Sequence, residues 1–316
     1  LHTNGTDYQS ATVPSQFFFT KFTSHTNPYK SMDQRIINLF DEYTHKPLSR
    51  DTFLKRLAKL AGSTSAAVAL LPLLEVNYAN AATIAETDED IITEDIHYNG
   101  DGSTMGGYLA RPKKAGKYGS VLVIHENRGL NPHTKDIARR IAKAGYIALA
   151  GDALAPFGGT PENEDEARAA FAKIDAQKNL NNFLKGLDYL KARPDSNGKT
   201  GCVGFCWGGA LANQLAVHAP SLQVAVAYYG RQPEPADVPK IKSFVQLHYG
   251  GLDERVNAGI PAYEEALKAA GVKYKLYVYE GAQHAFLNDT APTRYNPEAA
   301  KLAWERTMKI FKDKIA

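Results

Sequence analysis

Gly204-Phe205-Cys206-Trp207-Gly208-Gly209 combines a thiol with flanking glycines. The apolar, strand-like run Thr200–Phe205 leads into it, and a helical pattern through Gln214 and Leu215 leads out. A nucleophile at a sharp strand-to-helix turn is the geometry of the G-x-S-x-G elbow, with a thiol here in place of the hydroxyl. Such a turn strains the nucleophile's backbone and brings strand and helix together, which leaves no room for Cβ atoms at Gly204 and Gly208. A thiol nucleophile needs a base, the base an orienting partner, and the tetrahedral intermediate hydrogen-bond donors. His284, just past the strand-like run Lys273–Tyr279, suits the base, and Asp253, just past Ser243–His248, suits the orienter. Chain order nucleophile, acid, histidine is that of an α/β hydrolase. The backbone amides of Trp207 and Asn127 are the expected oxyanion donors. The other cysteine, Cys202, faces inward from the strand and reads as a small core residue.

The elements that must position these groups alternate between strand and helix. Strands are expected at Ile91–Tyr98, Gly106–Arg111, Ser120–Ile124, Tyr146–Ala150, Thr200–Phe205, Gln223–Tyr228, Ser243–His248 and Lys273–Tyr279. Helical patterns fall at Lys135–Lys143, Glu164–Ile174, Asn179–Ala192, after the elbow, at Ala262–Ala270 and at Pro297–Lys314. The pattern predicts an α/β fold, a mostly parallel sheet with helices on both faces and chemistry at the carboxyl ends of its strands.

This α/β-hydrolase domain spans 83–316, preceded by an irregular extension, 1–31, and a helical or signal-like segment, 32–82. Met32 precedes a helical pattern, Asp33–Phe40, and either is a natural start or follows a processing remnant. Phe53, Leu54, Leu57, Leu60 and Ala61 fall at helical spacing. They describe an amphipathic arm that packs on the main domain or on a second copy, which suits a homodimer. The same stretch carries a basic start, a short apolar run (Ala66–Leu74) and Ala79-Asn80-Ala81, as a secretory signal does. Ser49-Arg50-Asp51-Thr52-Phe53-Leu54-Lys55 resembles a twin-arginine export signal, with Asp51 in place of the second arginine. Cleavage near Ala81 implies export, and a retained arm implies the cytoplasm. The Ala66–Leu74 run is too short to span a membrane.

Composition narrows the partners. A net charge of +3, with no block of five like charges, argues against nucleic acid. Two cysteines make no disulfide scaffold. Nine histidines without ligand spacing predict no metal site. No phosphate-binding glycine loop is present, so no nucleotide cofactor is expected.

At His125-Glu126-Asn127-Arg128-Gly129-Leu130, the cysteine elbow, Gly251-Leu252-Asp253 and Gln283-His284-Ala285-Phe286, the chain resembles the dienelactone hydrolase family. The resemblance covers roughly 83–316 and extends to a subgroup with N-terminal extensions. It implies hydrolysis of a small ester or lactone without a cofactor. It also implies a gate: the resting thiol is neutral, and substrate displaces Glu126, which then takes the thiol proton. Gating of this kind limits oxidation of an exposed thiolate. The family's lactonases hold a substrate carboxylate with an arginine four residues after the histidine, where this chain has Asn288. Arg128, Arg231 and Tyr229 are the alternative substrate contacts. Two other functions remain open at this level: a binding or assembly protein built on the fold, and an acyltransferase with an acceptor other than water.

Overall fold

A computed structural model describes residues 32–46, 48–75 and 82–316. Eight strands form one sheet in the order β1-β2-β4-β3-β5-β6-β7-β8. They are β1 (Ile91–Asn99), β2 (Thr104–Pro112), β3 (Tyr118–Ile124), β4 (Ile147–Asp152), β5 (Ser196–Phe205), β6 (Val224–Tyr228), β7 (Phe244–Gly250) and β8 (Tyr274–Tyr279). β1 and β2 pair antiparallel, β2 joins β4 antiparallel, and all pairs from β4 onward are parallel. The mostly parallel sheet read from the alternating pattern is therefore present.

Three helices precede the sheet: α1 (Gln34–His45), α2 (Arg50–Ala61) and α3 (Thr64–Leu74). Within the sheet domain come α4 (Pro132–Lys143), α5 (Glu164–Phe171), α6 (Ala176–Ala192), α7 (Trp207–His218), α8 (Glu254–Asn257), α9 (Ile260–Ala269) and α10 (Pro297–Ile315). The central strands are buried on both faces, so their apolar residues divide between two cores. Val121, Val123 and Val203 pack with Ile137 and Ile141 of α4 and Phe311 of α10. Leu122, Ile124 and Cys202 pack with Phe183 of α6, Leu215 of α7 and Leu267 of α9. Cys202 is thus the core residue expected, and burial pushes its thiol pKa up to about 12.

From β3 the chain crosses to β4 on one side and then to β5 on the other. This reversal opens a crevice at the carboxyl ends of β3 and β5, where open α/β sheets bind ligands. The β3–α4 loop carries Glu126, Asn127 and Arg128 to one lip, and the β5–α7 turn carries Cys206 to the other.

The arm has its own small core of Ile36, Leu39, Phe40, Tyr43, Phe53, Leu57, Ala67 and Leu74. Tyr43 and Phe53 stack with ring centres 4.3 Å apart. α1 continues past Phe40, where the sequence pattern was clearest, because Tyr43 and Thr44 extend its buried face. Ser49 caps α2 by accepting from the Thr52 amide, and Gly62 ends the helix in a left-handed conformation (φ 85°). Among the described residues no single helix is long and apolar enough to cross a membrane; α2 and α3 meet at a bend of 108°.

The arm docks on the sheet domain chiefly through polar contacts. Arg168 of α5 donates to the Tyr43 hydroxyl and lies over its ring, 4.2 Å from the centroid. Gln34 and Gln283 exchange amide hydrogen bonds, and the Asn127 side chain donates to the Thr44 carbonyl at 2.6 Å. Leu57 is fully buried within the arm and does not touch the crevice. Leu57→Ala should cost about 2–5 kcal/mol of local stability. Hydrogen exchange should then speed up in α1–α3 and stay unchanged in β3–β7; uniform acceleration would count against an independent arm core.

Candidate active site

Cys206 sits at the tip of the β5–α7 turn with φ 56° and ψ −113°. A left-handed φ is unusual for a residue with a Cβ and is held here by packing. The Cys206 amide donates to the Tyr228 carbonyl at 3.0 Å, and its carbonyl accepts from the Ala210 amide at 3.1 Å. A Cβ on Gly204 would strike the Gly208 carbonyl, and one on Gly208 would strike the Ile124 and His125 carbonyls. These glycines serve close backbone approach, while the positive φ falls on the cysteine itself.

His284 follows β8 and is only 6% exposed. Its Nδ1 meets Asp253 Oδ2 at 2.5 Å, which leaves Nε2 facing inward with no hydrogen-bond partner. Asp253 follows β7, is buried, and also caps α8 by accepting from the Val256 amide. The fold thus brings Cys206, Asp253 and His284 together.

Glu126, Asn127 and Arg128 line the same pocket. Asn288 is buried and donates to Glu126 Oε2 at 3.3 Å, so this asparagine holds the glutamate. Arg128 is tied to Glu164, at 3.6 Å between charged groups and through the Glu164 carbonyl. Tyr229 is buried with a left-handed φ of 39°, its ring centre 5.0 Å from that of His284. The Trp207 amide begins α7, and its ring stacks on His125 at 5.5 Å between centres. Burial lowers the His125 pKa, and the neutral ring accepts from the Ala153 amide and binds the Glu126 carbonyl. Arg231 is exposed and does not line the pocket; its carbonyl accepts from Asn213.

Among the pocket residues that escaped the sequence reading, two carry groups able to do chemistry beside the sulfur. Arg294 is 7% exposed, lies over the Phe40 ring at 5.3 Å, and has an Nε without a partner. His45, from the last turn of α1, places Nε2 2.9 Å from the Cys206 Sγ. Its Nδ1 meets the Asp41 carbonyl at 2.8 Å and carboxylate at 3.1 Å, and Arg255 holds that carboxylate at 2.9 Å. The His45 and His284 rings meet edge-on, 4.9 Å between centres. The sequence signal for His45 was faint: the buried face of α1 runs on through Tyr43 and Thr44, one turn past Phe40. With the arm in place, the cavity beside the sulfur holds about 20 Å³, room for a water molecule.

Burial would lower the His45 pKa, but its contacts with the Cys206 sulfur and with Asp41 outweigh it and raise it to about 9. Burial opposes ionisation of Asp41, yet His45, His284 and Arg255 hold its carboxyl far below the usual range.

A mostly parallel sheet with a nucleophile elbow, followed by an acid and a histidine on later strand ends, defines an α/β hydrolase. Within that class the chain belongs to the dienelactone hydrolase family, whose profile matches residues 105–315. A provisionally named carboxymethylenebutenolidase of Saccharolobus solfataricus is 33% identical over 261 residues, covering 69% of this chain and 98% of the relative. Another from Methylorubrum extorquens is 32% identical over 289 residues, covering 84% and 96%. A Klebsiella pneumoniae crystal structure, provisionally described as a dienelactone hydrolase, superposes with a TM-score of 0.64 at 28% identity. It covers 70% of this chain and 98% of that one. The protein is thus a hydrolase of a family acting on lactones and esters.

A folded pKa above the ordinary 6.5 means that protonated His45 stabilises arm docking fully below about pH 6.5. That contribution is lost as pH rises through about 9. NMR titration of the His45 ring should find a midpoint near 9, and Cys206→Ala should lower it. A midpoint at or below 6.5 in the parent protein would contradict the pairing with sulfur.

Proposed function

We propose that the protein hydrolyses small esters or lactones with Cys206 as nucleophile. The observation that carries this reading is a strained elbow cysteine sharing a pocket with an Asp253–His284 pair whose Nε2 is unpartnered. Cys206 Sγ attacks the carbonyl carbon, and the thiol proton passes to a base. Attack expels the alkoxide, leaving an acyl-thioester on Cys206. The thiol proton passes on to His284, oriented by Asp253, which gives it to the alkoxide. His284 then takes one from the water that attacks the thioester, returning acid and free thiol. The backbone amides of Trp207 and Asn127 are assigned to the oxyanion. Glu126, positioned by Asn288, is the base that takes the thiol proton as substrate enters.

Arg294 supports an anionic substrate, because its guanidinium lines the pocket with Nε unsatisfied, whereas Arg128 is already paired. A carboxylate near the scissile ester would satisfy it. In the arm-closed state His45 lies on the sulfur, and the remaining cavity is too small for an ester. Substrate entry therefore requires the arm to withdraw, and apparent affinity scales with the open fraction.

With p-nitrophenyl acetate, Cys206→Ala should abolish turnover and His284→Ala should cost about 10²–10⁴-fold in kcat. Mass spectrometry of the quenched parent should find one acyl group on Cys206. Equal activity of Cys206→Ala and parent would overturn the assignment. Leu57→Ala should lower KM, by up to about tenfold for each ~1.4 kcal/mol of arm stability lost, with kcat unchanged. An unchanged or raised KM would argue that the arm does not limit entry.

A further inference from the structure

His45 Nε2, Cys206 Sγ and His284 Nε2 come from three separated parts of the chain and lie within 4.8 Å of one another. One thiolate and two imidazoles form a donor set that selects Zn²⁺ over the hard cations Mg²⁺ and Ca²⁺. Tetrahedral zinc, with bonds of about 2.0–2.3 Å, sets its ligands roughly 3.3–3.6 Å apart. Modest opening of the 2.9 Å contact between His45 and sulfur would therefore admit the ion.

The surroundings of both rings point the same way. Metal-bound histidines characteristically present one nitrogen to the ion and give the other N–H to a carboxylate or carbonyl. His284 does so through the Asp253 carboxylate, and His45 through the Asp41 carbonyl, with the Asp41 carboxylate 3.1 Å away. Each Nε2 is thereby turned toward the sulfur. His284 is only 6% exposed and its Nε2 has no partner, so a buried donor is aimed into the cluster and left unsatisfied. Beside the three donors lies the small cavity of about 20 Å³, sized for a water as fourth ligand. Arg255, Arg128 and Arg294 contribute positive charge nearby, against the carboxylates of Asp41, Asp253, Glu126 and Glu164 and the sulfur.

We propose that His45, Cys206 and His284 form a site for a thiophilic divalent cation, Zn²⁺ by chemistry, that occupies the nucleophile and clamps the arm onto the domain. The ion takes one lone pair from each donor, and the proton held between His45 and the sulfur leaves to solvent. Zinc ligation draws electron density from the sulfur and weakens it as a nucleophile, and an arm ligated through His45 cannot withdraw. Zn²⁺ therefore acts as a reversible inhibitor and also as a lock on the closed state.

The test uses the full chain after chelator treatment and dialysis, titrated with Zn²⁺ by calorimetry and with Co²⁺ by absorption. One equivalent should bind, and Co²⁺ should give a near-ultraviolet thiolate charge-transfer band. His45→Ala and its conservative counterpart His45→Gln should each weaken binding by about 100-fold or more. Asp41→Asn should weaken it by about 10–100-fold, the usual cost of losing an outer-shell partner. Zn²⁺ should suppress ester hydrolysis in the parent, EDTA should restore it, and His45→Gln should resist. Far-ultraviolet circular dichroism identifies any variant that fails to fold. No charge-transfer band in the parent, or undiminished affinity in folded His45→Gln, would overturn the site. The thiol-hydrolase reading is tested apart from this: a cobalt band without ester hydrolysis would sink that reading and leave the metal site standing. Hydrolysis without the band would do the reverse.

Discussion

The close approach of backbone to backbone around Cys206 is the constraint on which the rest depends. Helix α7 can begin directly at the end of β5 only because Gly204, Gly208 and Gly209 carry no Cβ where carbonyls of the elbow, of β3 and of β6 pass. That contact forces the cysteine into a left-handed conformation and lifts its sulfur above the strand ends. It also fixes the distance from the sulfur to the β3–α4 loop, and so to Glu126. The later strands then need only deliver an acid and a histidine to the same level. β7 and β8 do so in register, with Gly250 opposite Tyr279 just before the two loops that carry them.

The N-terminal arm alters the electrostatics of that site. Without it, the sulfur would face His284 and Glu126 across an open crevice. With it, a second carboxylate-anchored histidine arrives from outside the hydrolase domain and contacts the sulfur directly. The two histidine–aspartate pairs converge on the thiol from opposite sources, one from the sheet and one from α1. The His45–sulfur contact is desolvated, which makes it a strong local interaction. The helices that carry it are held largely by polar contacts, which are the easier kind to exchange for water. A tightly paired tip on a weakly docked arm is suited to opening and closing.

The cations that line the pocket differ in whether they are already paired. Arg128 faces the pocket but is held by Glu164, whereas Arg294 reaches it against Phe40 with unsatisfied hydrogen-bonding capacity. Asn288, four residues after His284, donates to Glu126. Arg231 has no part in this, because the loop after β6 turns its side chain to solvent.

Much of the machinery was legible in the sequence because it is local. Strand alternation and the glycines of the elbow depend on neighbours within a few residues, and the order of cysteine, acid and histidine is read directly along the chain. Those features determined the fold class, the hydrolase family and the candidate residues at strand ends. The contributions of His45 and Arg294 were not legible, since their meaning comes from residues distant in the chain. Histidine spacing gave no metal motif for the same reason: His45 and Cys206 are separated by 161 positions. One turn of α1 beyond the clear apolar pattern decides whether position 45 meets solvent or sulfur. The sequence determined that a thiol would stand at a strained turn with a histidine and an acid within reach. Only the tertiary structure decided that a second histidine would cover it, because packing of α1 on the strand ends is a long-range contact that no local spacing encodes.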